Sequence, residues 1–222
     1  MQLKVDLHVH TDASPDGLSS LQDMVEAAKR RGLDGIAVTD HNHLLADGVA
    51  DQLSRDSGLL LIPGVEVSTA SGHLLVLYPL RSFEKGSAFM DVVRSGMADG
   101  SVLIIPHPTD PFSHGVGVQV VRSSLPFHLP LEVMNASTLG RYNRGAGRLA
   151  DEFSLSKVGG SDAHHVAAIG DAYTLVDAPE RSVNAVLDAV RSGRTSPFGR
   201  QTPFEVMIQG VFRKIRKNIK QK

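Results

Sequence analysis

Residues 6–11, DLHVHT, are patterned as a strand but place three groups that can bind a cation on one face. Because side chains alternate along a strand, Asp6, His8 and His10 point one way, whereas Leu7 and Val9 point the other. Two imidazoles and a carboxylate make an unfavourable core face but a reasonable set of metal ligands. The segment therefore predicts one side of a metal site.

Similar polar residues end most of the other predicted strands. They are Asp40 and His41 in VTDHNH, Glu66 in GVEVS, His107 in IPHP, Asn135 in LEVMN, and Asp162 and His164 in GSDAHH. His73 is the exception, because it opens a predicted strand. Active sites of α/β folds assemble at the carboxyl edge of the sheet. We therefore expect these side chains to converge on one site.

The donor types narrow the chemistry of that site. The chain has no cysteine, so thiolate zinc sites, disulfides and cysteine nucleophiles are excluded. Imidazole nitrogens and carboxylate oxygens suit Zn²⁺, Mn²⁺ or Fe²⁺. Glu66 follows the apolar run LLLIPGV, where an unpaired carboxylate would be costly to bury. There are too many candidates for one four-coordinate ion, which favours a multinuclear site with bridging carboxylates.

The segments that position these residues alternate between short apolar strands and amphipathic helices. The pattern predicts strands from LKVDLHV to DAYTLVD, and helices at 19–32, 84–98, 142–153 and 180–193. Repeated β-then-α units favour an α/β fold with a parallel sheet, open or closed into a barrel. Pro197 and Pro203 frame a stretch predicted to be irregular. We therefore expect a hydrolase domain over 1–196 and a tail over 197–222.

Composition and charge distinguish the body from this tail. With 222 residues, 41% of them hydrophobic, the chain is long enough for one globular domain with a sizeable core. The net charge is −1, but residues 201–222 carry six basic residues against Glu205, a net +5, which leaves −6 for residues 1–200. An acidic body disfavours a long surface that follows nucleic-acid phosphates.

The tail is predicted to be an amphipathic helix, because its apolar residues recur at helical spacing: Phe204, Ile208, Val211, Phe212, Ile215 and Ile219. It would pack on the body or contact another subunit, an anionic membrane or nucleic acid. The amino terminus shows no basic and apolar leader, and no apolar run approaches the ~20 residues of a membrane span. A cytoplasmic protein without a transmembrane segment is therefore expected.

Together, DLHVHT, TDHN, GVEVS, PHP and GSDAHH resemble the polymerase and histidinol phosphatase (PHP) superfamily. The resemblance covers roughly residues 3–176, with the motifs in the expected order. It implies a distorted (β/α)7 barrel that binds two or three divalent ions, Zn, Mn or Fe. It also implies a metal-dependent enzyme that hydrolyses phosphoric ester bonds.

The resemblance further implies roles for individual residues. One metal would be held by His8, His10, Glu66 and Asp162; Glu66 would bridge to a second, completed by His73 and His107; Asp16, His41 and His164 would hold the third. Asp12 competes with Asp16 for its position. Asp6 and Asp40 are expected to orient ligating histidines. The residues expected to carry catalysis are His8, His10, Glu66, Asp162 and His164.

The expected substrate is a small phosphomonoester or a nucleotide-type phosphate ester, attacked by a metal-activated hydroxide. Asn135, Arg141 and Arg144 are candidate substrate contacts, since the planar guanidinium matches phosphate geometry. Three alternatives remain at this point. They are a nuclease acting on short oligonucleotide ends, an amide or carbamate hydrolase on the same barrel, and a non-catalytic binding module.

Overall fold

The structure is a computed structural model that describes residues 1–203, 205 and 206. The strands in these residues are β1 (Gln2–Val9), β2 (Gly35–Val38), β3 (Leu60–Thr69), β4 (Gly72–Leu77), β5 (Val102–Ile104), β6 (Leu131–Asn135), β7 (Lys157–Gly160), β8 (Ala172–Asp177) and β9 (Thr195–Gly199). The α-helices are α1 (Leu21–Arg30), α2 (Val49–Ser57), α3 (Phe89–Ala98), α4 (Gly117–Ser124), α5 (Gly140–Glu152) and α6 (Val183–Arg191).

The strands form a curled, half-barrel sheet of seven and a second sheet of two. The larger sheet has the order β5-β4-β3-β2-β1-β8-β9, and the smaller pairs β6 with β7. Parallel bridges at Ile105–Leu131 and at Val9–Ala163 connect the two sheets. Both sheets therefore contribute strand ends to the same site.

The sheet is mixed, so the expectation of a parallel sheet was wrong. β1 pairs with β2, and β2 with β3, in parallel, but β3, β4 and β5 pair antiparallel, as do β1, β8 and β9. The physical reason is the connection between β3 and β4, which is only Ala70 and Ser71. So short a connection can join only antiparallel strands, since a parallel crossover needs a dozen residues or more.

This hairpin explains why His73 opens its strand instead of ending it. In the antiparallel register Ser68 pairs with His73, near the carboxyl end of β3. The amino end of β4 therefore lies at the same edge of the sheet as the carboxyl ends of β1, β2 and β3. His73 therefore lies near the other candidates because β4 runs antiparallel to β3.

Helices cover the outside of the sheets and bury their apolar faces against them. α1 begins at the Ser20 cap, whose hydroxyl accepts a hydrogen bond from the backbone N–H of Asp23. It buries Met24 and Val25 against β1 and β2 in a cluster with Ile36. The packing fixes the strands whose carboxyl ends carry the polar residues.

The segment 195–199, predicted to be irregular, forms the edge strand β9 on β8. An edge strand tolerates Pro197, because the missing N–H can face away from the ladder. The sheet thus extends beyond residue 196, the predicted end of the domain. The predicted amphipathic helix of the tail lies outside the described residues, apart from residues 205 and 206. Within the described part of the chain, every helix is too short or too polar to cross a membrane.

Candidate metal centre

Glu66 lies at the centre of the site, with its side chain only 1% exposed and five imidazoles around its two oxygens. Oε2 is 3.3 Å from His8 Nε2, 3.2 Å from His10 Nε2 and 3.2 Å from His41 Nδ1. Oε1 is 2.8 Å from His73 Nδ1 and 3.2 Å from His107 Nε2. The two oxygens therefore face two different groups of nitrogens, which is how a bridging carboxylate is arranged.

The atoms around Oε2 are spaced like the ligands of one ion. His8 Nε2 and His10 Nε2 are 3.1 Å apart, and Asp162 Oδ1 lies 3.5 Å and 3.4 Å from them. A tetrahedral ion with ligands at ~2.0–2.1 Å separates its ligand atoms by about 3.3–3.4 Å. The distances of both Nε2 atoms to each other, to Glu66 Oε2 and to Asp162 Oδ1, 3.1–3.5 Å, are close to that spacing.

The hydrogen bonds of the two histidines assign their tautomers. His8 Nδ1 lies 3.1 Å from Glu132 Oε1, an acceptor, so it carries a proton. The Ser14 hydroxyl donates to Asp40 Oδ1 at 2.9 Å and therefore accepts from His10 Nδ1 at 3.1 Å. In the neutral form of each ring, Nε2 then carries the lone pair, and both Nε2 atoms face the same place, where a cation could replace their protons. The residues fit a metal at this position.

Ring nitrogens on the other side of the site also face Glu66. His41 Nδ1 and His73 Nδ1 are buried, and they lie 3.2 Å and 2.8 Å from the two Glu66 oxygens. Three-residue groups with ligand atoms within 4.8 Å of one another include His41, Glu66 and His73, and also His10, His41 and His164. These overlapping groups are consistent with metal binding.

The third group lies nearer to solvent. Asp16 Oδ2 is 3.2 Å from His164 Nε2 and 3.8 Å from His41 Nε2. The side chains of Asp16, His41 and His164 are 21%, 19% and 27% exposed. Asp12, the competing candidate, is exposed on the surface of the same turn. The structure brings Asp16 to the site.

Two local features of the backbone bring the strand ends together. The carboxyl end of β1 meets the segment after β7, where Asp162 N donates to His8 O and His10 N donates to Ala163 O, at 2.8 and 2.9 Å. Gly160 permits this approach, because a Cβ there would lie 2.6 Å from His8 Cβ. Asp162 also has φ +53°, a conformation that costs a non-glycine residue energy and is often found at functional sites.

Glu132 is a site residue that the sequence analysis missed. It lies in β6 and is only 1% exposed. Its Oε1 contacts His8 Nδ1, and its Oε2 accepts hydrogen bonds from the backbone N–H of His107 and from Asn135 Nδ2. A carboxylate that holds the far nitrogen of a ligating histidine fixes its tautomer and raises its basicity. The sequence contained a signal for such a role, because Glu132 is the single charged residue within the mainly apolar strand LEVMN.

Asp6 and Asp40 support the site differently from the prediction. Asp6 accepts from the backbone N–H groups of His8, Ser161 and Gly170, and Asp40 from Thr11 and Ser14. Neither contacts an imidazole ring among the described contacts. The far ring nitrogens of His8 and His10 contact Glu132 and Ser14 instead, and Asp6 faces the backbone of β1 and of the segment after β7. Asp40 acts on His10 only through Ser14.

The three predicted substrate contacts take other positions. Asn135 is fully buried: its amide donates to Glu132 and Asp162 and accepts from the backbone of Ser137 and Thr138. This uses its whole hydrogen-bonding capacity within the protein. Arg141 and Arg144 are exposed on α5 and do not line the cleft at the site. The guanidinium of Arg141 lies over the Tyr142 ring, 4.7 Å from its centroid.

The charges of the site depend on one another. Burial disfavours the charged form of His10, but contacts with Asp162 and Glu66 outweigh it and raise its pKa to about 9. Burial likewise opposes charge on His8, yet Asp162, Glu132 and Glu66 raise its pKa well above the usual value. Burial opposes ionisation of Glu66 and Asp162 too, but His8 and the other histidines hold the pKa of both far below the usual range. The metal-free site therefore holds protons where cations would bind.

His41 behaves in the opposite way. Burial is the largest influence on it and, together with the neighbouring histidines, lowers its pKa to about 4 despite Glu66 and Asp16. The imidazole is therefore neutral at pH 7, which is the form that binds a metal. Beside this group lies an open cleft of about 260 Å³. Its lining residues are Asp16, His41, Glu66, His73, His107, Phe112, Ser113, His114, Asp162 and His164.

Fold and site together define an α/β protein with a buried cluster of histidine and carboxylate ligands that is consistent with metal binding. The chain matches the PHP domain over residues 6–136 and the PHP-associated family over residues 140–195. The first match alone covers more than half of the chain. This protein belongs to the PHP domain family, as the motifs indicated.

Three similar proteins illustrate the range of this relationship. An uncharacterized protein of Methanocaldococcus jannaschii is 26% identical over 166 residues, covering 70% of this chain and 91% of that protein. A Probable phosphatase of Shewanella oneidensis is 24% identical, covering 85% of this chain and 88% of that protein. The crystal structure of a two-domain protein of Bacteroides vulgatus, containing a predicted PHP-like metal-dependent phosphoesterase, superposes with a TM-score of 0.74 at 22% identity, covering 96% of this chain and 70% of that one.

Proposed function

We propose that this protein is a metal-dependent phosphoesterase that hydrolyses a small phosphate monoester or a nucleotide-type substrate. The observation that carries the proposal is the two-sided contact of Glu66, whose oxygens face His8, His10 and His41 on one side and His73 and His107 on the other. Such an arrangement suits a bridge between two ions. The Shewanella protein and the Bacteroides protein, with their phosphatase and phosphoesterase names, support the same reaction class.

Divalent ions, when bound, would lower the pKa of water and offset charge on the phosphate oxygens. The charges and tautomers of the candidate ligands suit the binding of such ions. Glu66 and Asp162 are anionic throughout the neutral range because histidines hold their pKa low. Glu132 and Ser14 keep the Nδ1 protons of His8 and His10, so that Nε2 of each ring faces the cluster.

The cleft supports a small substrate. Its volume, about 260 Å³, is below the ~300–1,000 Å³ of sites for drug-sized molecules. Its lining has neither lysine nor arginine among the described residues, so the charge of a phosphate group would be offset by ions. Asp16, His41 and His164 are the more exposed candidate ligands, so a phosphate would approach them from the cleft that they line together with Phe112.

The test is phosphate release from a generic aryl phosphate by metal-stripped protein and by protein reconstituted with Mn²⁺ or Zn²⁺. We expect activity only after reconstitution, and a strong loss in His164→Ala, a variant of a partly exposed residue that should fold. His43→Ala is the matched control, since His43 is exposed on the loop after His41 and does not line the cleft. Full activity in the stripped protein, or hydrolysis of amide and carbamate probes alone, would contradict the proposal.

A further inference from the structure

Phe112 is the most exposed large apolar side chain of the described residues, at 78%, and it lies at the mouth of the metal cleft. It follows the buried end of β5 and shares the cleft lining with His73, His107 and His114. Single exposed apolar residues are common on protein surfaces. A fully displayed aromatic ring beside a cluster of metal ligands is a different case, because it offers apolar area where a substrate would lie.

The segment that carries Phe112 is held firmly. The buried carboxylate of Asp110 accepts hydrogen bonds from the Phe112 N–H at 3.0 Å, from Ser113 Oγ at 3.3 Å and from Thr138 Oγ1 at 3.2 Å. Gly115 N donates back to Asp110 O at 2.8 Å. These hydrogen bonds fix the backbone of the turn that carries Phe112, so the exposed position of the ring follows from the structure of the loop.

A second aromatic side chain supports this surface. The Tyr142 ring lies beside that of Phe112, with centroids 6.3 Å apart and planes inclined at 59°. Thr109 Oγ1 donates to Tyr142 O at 2.7 Å and joins the loop to α5. Arg141 covers one face of Tyr142 and donates to its hydroxyl at 3.0 Å. Tyr142 is thereby fixed beside Phe112.

We propose that Phe112, with Tyr142 beside it, is a stacking platform for a planar, aromatic or heteroaromatic group on the alcohol side of the phosphate ester. The inference rests on the proposed function and adds the class of the leaving group. Phe112 lines the same cleft as the candidate ligands, so a substrate whose phosphate lies at the ligands has its alcohol side within reach of the ring. Planar groups stack on exposed aromatic rings regardless of their hydrogen-bonding pattern.

The experiment compares two probes with the same primary phosphate ester, one with a planar base and one without: adenosine 5′-monophosphate and ribose 5-phosphate. With Mn²⁺-loaded protein, we expect kcat/KM to favour the nucleotide by about tenfold, the scale of one base stacked on one ring. Phe112→Ala should bring the ratio near one by lowering the nucleotide value alone. Phe112→Tyr should keep the preference, and Phe112→Leu should lose most of it.

Leu80→Ala is the matched control, because Leu80 is 70% exposed and does not line the metal cleft. A ratio that is the same in the unmodified protein, Phe112→Ala and Leu80→Ala would overturn the platform. A change of molecular mass in Phe112→Ala, measured by light scattering, would also overturn it, since the ring would then be packing against a second copy.

Failure of the proposed function can be told apart from failure of the platform. If the loaded protein releases phosphate from neither probe nor from an aryl phosphate, the phosphoesterase proposal fails. Calorimetric binding of the same two probes then decides the platform alone: a preference of about tenfold that Phe112→Ala abolishes supports it, and equal affinities reject it.

Discussion

The buried half of the candidate metal centre and its solvent-facing half differ in exposure and in the groups that hold their rings. The side chains of His8, His10, Glu66 and Asp162 are at most 9% exposed, whereas those of Asp16, His41 and His164 are 19–27% exposed. Rings in the buried half are held by side chains that are themselves buried, Glu132 and Ser14. The His164 ring, by contrast, lies 2.9 Å from a backbone carbonyl, that of Asp162.

This difference indicates a division of roles within one centre. A ligand set that is already aligned and shielded from water loses little entropy when it binds an ion, so it should retain that ion firmly. A set that faces solvent should exchange its ion and leave room for a substrate. The following variants test whether the two halves differ in this way.

The largest effect is expected from removing one carboxylate charge from each half. Asp162→Asn should lower activity more than ~100-fold and remove at least one ion after dialysis, because its Oδ1 lies among the four closely spaced atoms of the buried half. Asp16→Asn should cost about tenfold and recover with added metal. Metal content and phosphate release against metal concentration are the measurements. Equal behaviour of the two variants would abolish the distinction.

A smaller effect is expected from Glu132→Gln, which keeps the shape but removes the charge next to His8 Nδ1. Loss of such a partner typically weakens metal binding by ~10–100-fold. Competition with a chromogenic chelator measures the affinity. Glu152→Gln is the control, since Glu152 is exposed at the end of α5. An unchanged chelator curve for Glu132→Gln would mean that the carboxylate only stabilises the fold.

The pH dependence separates the metal-free from the metal-loaded protein. The pKa of His10 is raised to about 9 in the folded, metal-free protein, above its unfolded value of 6.5. Its charge therefore stabilises the fold fully below pH 6.5, and this stabilisation is lost as pH rises toward 9. We expect the Tm of the metal-free protein to fall across that window, and the Tm of the loaded protein to change less, because its ligands are already deprotonated.

The same linkage predicts proton release when metal binds. Affinity should rise with pH between 6.5 and 9, by at most about tenfold per pH unit for each proton displaced. Calorimetry in two buffers of different ionisation enthalpy counts the protons. Zero release at pH 7 would show that the buried histidines are neutral before metal arrives.

The smallest effect is expected from Arg144→Ala. Arg144 is exposed on α5 and does not line the cleft, so activity should stay within about twofold and stability within ~0.5 kcal/mol. Kinetics and thermal unfolding measure both. A larger fall in activity would mean that α5 reaches the substrate after all.

Residue types and strand ends were enough to predict which side chains meet. His8 and Glu66 lie in the carboxyl-terminal halves of β1 and β3, and His107 and Asp162 follow β5 and β7, so a common sheet edge brings the four together. Strand direction was harder, because periodicity does not distinguish parallel from antiparallel pairing. The two-residue connection between β3 and β4 carried that information and accounts for the position of His73.

Glu132 and the two arginines show what a sequence conceals. The burial argument applied to Glu66 applies equally to Glu132, but its partners His8 and His107 are distant in sequence and only the fold brings them near. Arg141 was a reasonable phosphate ligand by type. The orientation of the Arg141 side chain is set by its contact with Tyr142, and the sequence at the start of α5 does not reveal this contact.

The bridging position of Glu66 is the central claim, and anomalous diffraction from crystals loaded with Mn²⁺ or Zn²⁺ tests it most directly. We predict one anomalous peak in contact with Glu66 Oε2, His8, His10 and Asp162, and another in contact with Glu66 Oε1, His73 and His107. A single peak, or peaks that do not touch both oxygens of Glu66, would contradict the account.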